Sequence, residues 1–305
     1  MPDMRRVLLA AAFLFPVALT TPACKLASRN RVQSINRMNE AIKLYEKNNA
    51  SGAEKALQEA IQLDPTHAAA HATLGQIYRK QGKLGDAEKA FQGAIDNAKE
   101  APSADYWYQA GAVQSSQGHA DGIAQTERVT KFNAAINSFQ EAIKLNPNLY
   151  KAYYQSGILY EKLDQPEKAD AAFRKAIEIN PRFSMSFVAL GNMYIDYGHS
   201  NVAMAVLDTG TKVNDKDAKM WNGLGRAYLA LNQPKQAIDA FQKAKAIDPD
   251  MVDVLFGLGM AYSELRQRAE ATENLNAFLQ KAGQDVPEDR KKAAQDTVAR
   301  MQDVI

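Results

Sequence analysis

The chain has 305 residues, 46% of them hydrophobic and 24% charged, and its 37 Lys and Arg against 35 Asp and Glu give a formal net charge of +2. A balance this close to neutral sets up no basic field to hold nucleic acid and no acidic tract to repel the chain into disorder, so nucleic acid is not an expected partner. A single cysteine excludes an internal disulfide.

At the N-terminus, Arg5 and Arg6 precede an apolar run from Val7 to Leu19, interrupted by Pro16 and followed by the small residues Thr20 to Ala23. That run fits the core of a secretory signal and falls short of the roughly 20 residues that span a bilayer as a helix. Residues 1–23 therefore read as a signal peptide for the general secretory route, with the twin-arginine route as the alternative that Arg5 and Arg6 offer. The lone cysteine, Cys24, follows at once.

Leu19 to Cys24 resembles the processing site of bacterial lipoproteins, in which the cysteine receives a diacylglyceryl group, cleavage occurs before it and the new amine is acylated. Ala23 is the small residue such sites require, whereas Thr21 stands where an aliphatic residue is usual and Pro22 is uncommon. Thr21 and Ala23 also satisfy the small-x-small rule of an ordinary signal peptidase, which would leave Cys24 unmodified. The resemblance implies lipidation at Cys24, a permanent anchor and a place in the cell envelope facing the periplasm. Lys25 is unlike the Asp that retains some lipoproteins at the inner membrane, so the outer membrane is expected. Residues 24–34 form the tether, which reaches at most roughly 35 Å when extended. Lys25, Arg29, Arg31 and Arg37 in and just beyond it either meet anionic headgroups or merely solvate the start of a helix.

Beyond the tether the chain repeats. Tyr160, Tyr194, Tyr228 and Tyr262 are spaced by 34 residues, with Gly157, Gly191, Gly225 and Gly259 before them and Ala169, Ala203, Ala237 and Ala271 after them in constant register. A period of this length with this vocabulary means a helical hairpin stacked into a solenoid. The best copy carries Trp221, Leu224, Gly225, Tyr228, Ala237, Phe241, Ala244 and Pro249, and this pattern resembles the tetratricopeptide repeat over roughly residues 35–283. The resemblance implies an all-α, right-handed α-solenoid of about seven hairpins, each with a helix A and a helix B. The repeats read as 35–67, 68–101, 104–149 with a 12-residue insertion near 118–130, 150–183, 184–217, 218–251 and 252–283. In the first, the apolar stripe Ile35, Met38, Ala41, Ile42 and Tyr45 fits helix A only with a turn one residue shorter than the rest.

Small residues at the glycine and alanine positions let helices approach closely, and Pro65, Pro147, Pro181 and Pro249, each after Asp or Asn, stop helix B. Residues 284–305 read as a capping helix with Ala294, Val298, Met301 and Ile305 on one face and Arg290, Lys291, Lys292 and Asp296 largely elsewhere.

Catalytic patterns are weak. Gly223-Leu224-Gly225 and Gly257-Leu258-Gly259 start like a dinucleotide fingerprint but lack its third glycine and preceding strand, so packing explains them. His67 and His71 have the spacing of a helical metal pair, yet no third ligand is near in sequence, His71 falls at a buried packing position, and His119 and His199 fall in turns. With no GxSxG or HExxH, neither an enzyme, a cofactor nor a metal is expected.

In the resembled family, ligands lie along helix A at about positions 2, 5, 9 and 12, opposite the packing stripe. Carried onto this chain, these positions suggest a protein-binding groove of Tyr108, Tyr154, Met185, Asn192, Asn222, Arg226, Phe256 and Met260, with the remaining positions filled by Asp105, Ala112, Lys151, Ile158, Glu161, Val188, Ile195, Lys219, Leu229, Asp253 and Ser263. Amides hold an extended peptide backbone while apolar groups seat its side chains; the competing role for each residue is interhelix packing. Val188, Gly223 and Asp253 stand where the family's clamp for a C-terminal carboxylate needs Lys, Asn and Lys, so chaperone-tail binding is not expected. The expected function is a lipid-anchored scaffold that binds envelope proteins or peptides and supports assembly of an envelope complex. The alternative is a pilotin-like lipoprotein for type IV pilus secretin assembly.

Overall fold

The structure is a computed structural model that describes residues 29–98, 101–284 and 286–302; the signal segment, Cys24 and Ile305 lie outside these. The described residues form fifteen α-helices and no strand, the all-α class that the repeat implies. Two compact units meet in sequence at Gln155 and Ser156. The first holds α1 (Arg29–Glu46), α2 (Ala50–Leu63), α3 (Ala68–Lys80), α4 (Leu84–Asn97), α5 (Ala104–Gly118), α6 (Gln125–Leu145) and the start of α7 (Tyr150–Lys162). The second holds the rest of α7, α8 (Pro166–Ile179), α9 (Ser184–Asp196), α10 (Ser200–Val213), α11 (Ala218–Ala230), α12 (Pro234–Ile247), α13 (Val252–Glu264), α14 (Arg268–Lys281) and α15 (Glu288–Gln302). No described helix is long and apolar enough to cross a membrane.

Two turn chemistries set the hairpins. The middle residue of each three-residue A-to-B turn takes a left-handed conformation at Asn48, Gly82, Asp164, Gly198, Asn232 and Arg266, with φ between 54° and 78°. Gly, Asn and Asp enter that region at little cost, which leaves Arg266 as the strained member. At the B-to-A turns, Asp64, Asn146, Asn180, Asn214 and Asp248 each accept a hydrogen bond from the amide two residues on, at 3.0 to 3.2 Å. This Asx turn is common to all five, including Asn214, which no proline follows; the side-chain acceptor, rather than the proline, is the shared stop signal.

Between the helices of every hairpin after the first, the core is an aromatic or leucine set against a glycine. Phe91, Phe139, Phe173, Leu207, Phe241 and Leu275 are fully buried and lie over Gly75, Gly111, Gly157, Gly191, Gly225 and Gly259 respectively. A Cβ on Gly225 would sit 2.6 Å from Phe241 Cε1, so the α11–α12 approach requires the missing side chain. Phe241 also lies against Gly257 of α13, and Leu207 against Gly223, which assigns both Gly-Leu-Gly pairs to packing.

Three expectations are corrected, and the insertion gains a structure. Helix α1 starts at Arg29, inside the expected tether, because Arg31 pairs with Asp64 at 2.9 Å and buried Ser34 donates to the Ala60 carbonyl at 2.7 Å. The first A-to-B turn, residues 47–49, is three residues long, as are five of the later ones. Its register puts fully buried Ala41 where Gly75 stands in the next repeat and places Arg37 and Glu40 at packing positions, where they pair at 2.7 Å; that polar pair is what made a shifted register look necessary. The insertion, expected only as extra length, goes largely into helix. It lengthens α6 to 21 residues against 14 in the other B helices, and α6 is held to α4 by Lys131, whose Nζ lies 3.2 Å from Glu88. Finally, Arg290 belongs to the inner face of the capping helix, one turn before buried Ala294.

Candidate functional site

Because helix B and the next helix A cover the packing stripe, each helix A leaves its opposite side chains toward solvent. On α9 and α11 this brings Asn192 and Arg226 together, Arg226 Nη1 donating to Asn192 Oδ1 at 2.8 Å. The nearest carboxylate to Arg226, Asp196, lies 3.9 Å away with 61% of its side chain exposed. One turn earlier on α11, the Asn222 Oδ1 is buried with no hydrogen-bond partner among the described residues.

Helix α13 adds Asp253 and Phe256, and α15 adds Arg290. Arg290 Nη1 pairs with Asp253 Oδ1 at 2.6 Å, and its guanidinium carbon stands 4.6 Å from the centre of the Phe256 ring. Ile195, Arg226, Leu229, Asp253, Phe256, Gly257 and Arg290 enclose an open cavity of about 440 Å³. Its walls are mainly aliphatic and aromatic, and its polar groups are two guanidiniums and a carboxylate.

The eight residues expected in the groove separate by environment. Asn192, Asn222, Arg226 and Phe256 gather at this cavity or within a turn of it. Phe256 also packs on Phe278 at 5.1 Å, and the Met260 sulfur lies 3.9 Å from the hydroxyl of fully buried Thr297, so α14 and α15 cover part of both side chains that were expected to be open. Met185 is 43% exposed on α9 and lines no part of the cavity. Tyr108 and Tyr154 fall in the first unit. There Tyr108 is half-buried against Phe139 with ring centres 5.6 Å apart, and burial pushes its hydroxyl pKa up.

Arg290 was the residue that sequence reasoning misplaced. Its signal was available: 290, 294 and 298 form one i, i+4 stripe, so a charged residue there faces the same neighbours as Ala294 and Val298.

The histidines are engaged locally. His67, rather than His71, is the fully packed one at 3% exposure. Its Nδ1 donates to Ser34 Oγ at 2.7 Å, since that hydroxyl gives its own proton to Ala60. Burial first, and then the charge of Arg31, lowers the His67 pKa to about 4. His71 donates from Nε2 to the Pro65 carbonyl at 2.9 Å and packs over Gly93. His119 bonds to the Ser115 carbonyl at 2.8 Å and packs at a tilt on Phe132, while His199, at the N-cap position of α10, meets the Tyr194 ring edge-on with centres 6.2 Å apart. No group of three or more His, Cys, Asp or Glu side chains among the described residues is arranged to hold a metal.

Helical hairpins with glycine-cradled aromatics and an open helix-A face define a helical-repeat protein. Tetratricopeptide repeat family models match residues 37–108, 150–183, 218–251 and 253–284, more than half of the chain. The chain belongs to the tetratricopeptide repeat family. It is 29% identical over 138 residues to the transcription factor tau 131 kDa subunit of Saccharomyces cerevisiae, a match spanning 45% of this chain and only 12% of that protein. The C-terminal part of a TPR repeat-containing protein from Cytophaga hutchinsonii superimposes with a TM-score of 0.64 at 15% identity, over 86% of this chain and 99% of that one. Pseudomonas aeruginosa pilF does so with a TM-score of 0.55 at 15% identity, over 74% and 96%. Likenesses at such identities show the fold alone.

Proposed function

We propose that this protein is an exported, lipid-anchored TPR scaffold that binds protein partners through the exposed faces of its A helices and supports assembly of an envelope complex. The observation that carries the binding role is the open cavity on α9, α11 and α13, because its apolar walls, two guanidiniums and one carboxylate, with the Asn192 amide beside them, suit a peptide. Family membership supports it, since TPR proteins bind peptides or proteins. The anchor rests on sequence: the apolar run Val7 to Leu19 and the lone Cys24 directly behind Ala23. Binding alone accounts for the arranged groups, so the reading includes neither catalysis nor a cofactor. Outer-membrane attachment facing the periplasm is the location that Lys25 favours.

Labelling with radioactive palmitate tests the anchor. Wild-type protein is expected to take up label and sediment with membranes, and the Cys24→Ser protein to do neither; unlabelled, freely soluble wild-type protein would refute the anchor. The pilotin alternative draws only a shared fold from the likeness to pilF. Loss of secretin multimers in a deletion strain would select it, and intact multimers would remove it.

A further inference from the structure

Resting on that scaffold reading, we infer that the cavity on α9, α11 and α13 receives an acidic side chain and the apolar side chain beside it from within a partner peptide. The cavity's volume of about 440 Å³ falls in the range of about 300–1,000 Å³ usual for ligand pockets. Ile195, Leu229 and Phe256 give it an apolar floor.

The charge on its rim is unevenly cancelled. Arg290 has Asp253 at 2.6 Å, whereas Arg226 is oriented by the neutral amide of Asn192 at 2.8 Å, and its nearest carboxylate, Asp196, is 3.9 Å away and mostly exposed. An amide fixes a guanidinium without neutralising it. Arg226 spends Nη1 on that amide, leaving further N–H donors of its planar fork for a carboxylate. Arg290, 4.6 Å above the centre of the Phe256 ring and paired with Asp253, is likewise held in place. The two side chains are 39% and 31% exposed, so attraction to an incoming carboxylate is only partly screened.

The occupant is an internal residue rather than a chain end. Beside the cavity Asn192, whose Oδ1 accepts from Arg226, has its NH2 to offer a backbone carbonyl, and a backbone bonded there continues past the cavity. Val188, Gly223 and Asp253 stand where the family's clamp for a terminal carboxylate needs Lys, Asn and Lys.

The test selects peptides on the full chain from a random display library fused through its C-termini, so that no free carboxylate is offered, and then measures synthetic, C-terminally amidated peptides by calorimetry. Enrichment of Asp or Glu beside Leu, Ile or Phe is expected. Replacing that acid by its amide, or Arg226→Gln in the protein, is expected to weaken binding about tenfold or more, with a loss on adding salt. Arg290→Gln is expected to weaken it too. If losing the Asp253 pair also loosens α15, Arg226→Gln, on an exposed face, carries the test. Peptides that bind equally with amide in place of acid, or equally to Arg226→Gln, would overturn the inference. Binding that requires a free C-terminus would overturn it as well. In both cases peptides weakened by Met185→Asp would leave the scaffold reading standing; a chain that selects no peptide would overturn both.

Discussion

Asn192 and Arg226 stand 34 residues apart in the chain and 2.8 Å apart in space, one hydrogen bond joining the same position of successive A helices. Here the 34-residue period of the sequence becomes a side-chain contact between successive A helices. Asn192→Asp gives Arg226 a charged partner. It is expected to stabilise the second unit by less than about 1 kcal/mol, as half-exposed pairs do, and to weaken acidic peptides by cancelling the charge they seek. Chemical denaturation and calorimetry on the same protein read the two effects, which have opposite signs.

Glycines of this fold differ by what lies over them. Gly225→Leu drives a side chain into Phe241 and is expected to cost about 1–3 kcal/mol or more by overpacking. Gly85 in α4 has open space where a Cβ would stand, with nothing within 4 Å, so Gly85→Ala is expected to stabilise by about 0.5–1 kcal/mol through reduced backbone entropy of the unfolded chain. Urea unfolding of both variants checks the contrast.

Arg266 holds φ of 58° at a turn where equivalent residues are Gly, Asn or Asp. Arg266→Gly is expected to raise stability by about 1 kcal/mol by removing the left-handed penalty, seen as a higher urea midpoint with an unchanged slope.

The first unit should weaken in mild acid. His67 is buried neutral, with its pKa lowered by burial from 6.5 to about 4. The unfolded chain therefore binds more protons between those values, and stability falls as pH drops through that window. The loss amounts to at most about 3 kcal/mol. Asp64 adds a second decline at lower pH: burial raises its pKa, but hydrogen bonds from Thr66 and Arg31 outweigh that and lower it, so its contribution is lost only as it protonates. His67→Asn keeps a donor for Ser34 and is expected to flatten the upper window in denaturation midpoints measured from pH 7 to 4.

The hairpins were legible because a close helix approach leaves its mark in residue type: Gly225 exists where Phe241 needs room. Less legible was the register of the first repeat. Arg37 and Glu40 satisfy each other at positions that elsewhere are apolar, and periodicity cannot distinguish a paired charge from a misplaced one. The insertion was visible as length but not as helix, since propensity over Gln125 to Lys131 does not reveal that Lys131 will meet Glu88 from another hairpin. The cavity was half legible. Its helix-A residues follow from spacing, whereas Arg290 reaches it from a helix outside the repeat.

The central claim is that partners bind on the A-helix face. A photo-crosslinking amino acid placed at Met185 on α9, or at Lys235 on α12 of the same unit, tests it most directly in intact cells. Both positions are exposed, one on a helix A and the other on a helix B. The expected result is an adduct with one identifiable envelope protein from position 185 and none from position 235. The same adduct from position 235, with none from position 185, would contradict the account.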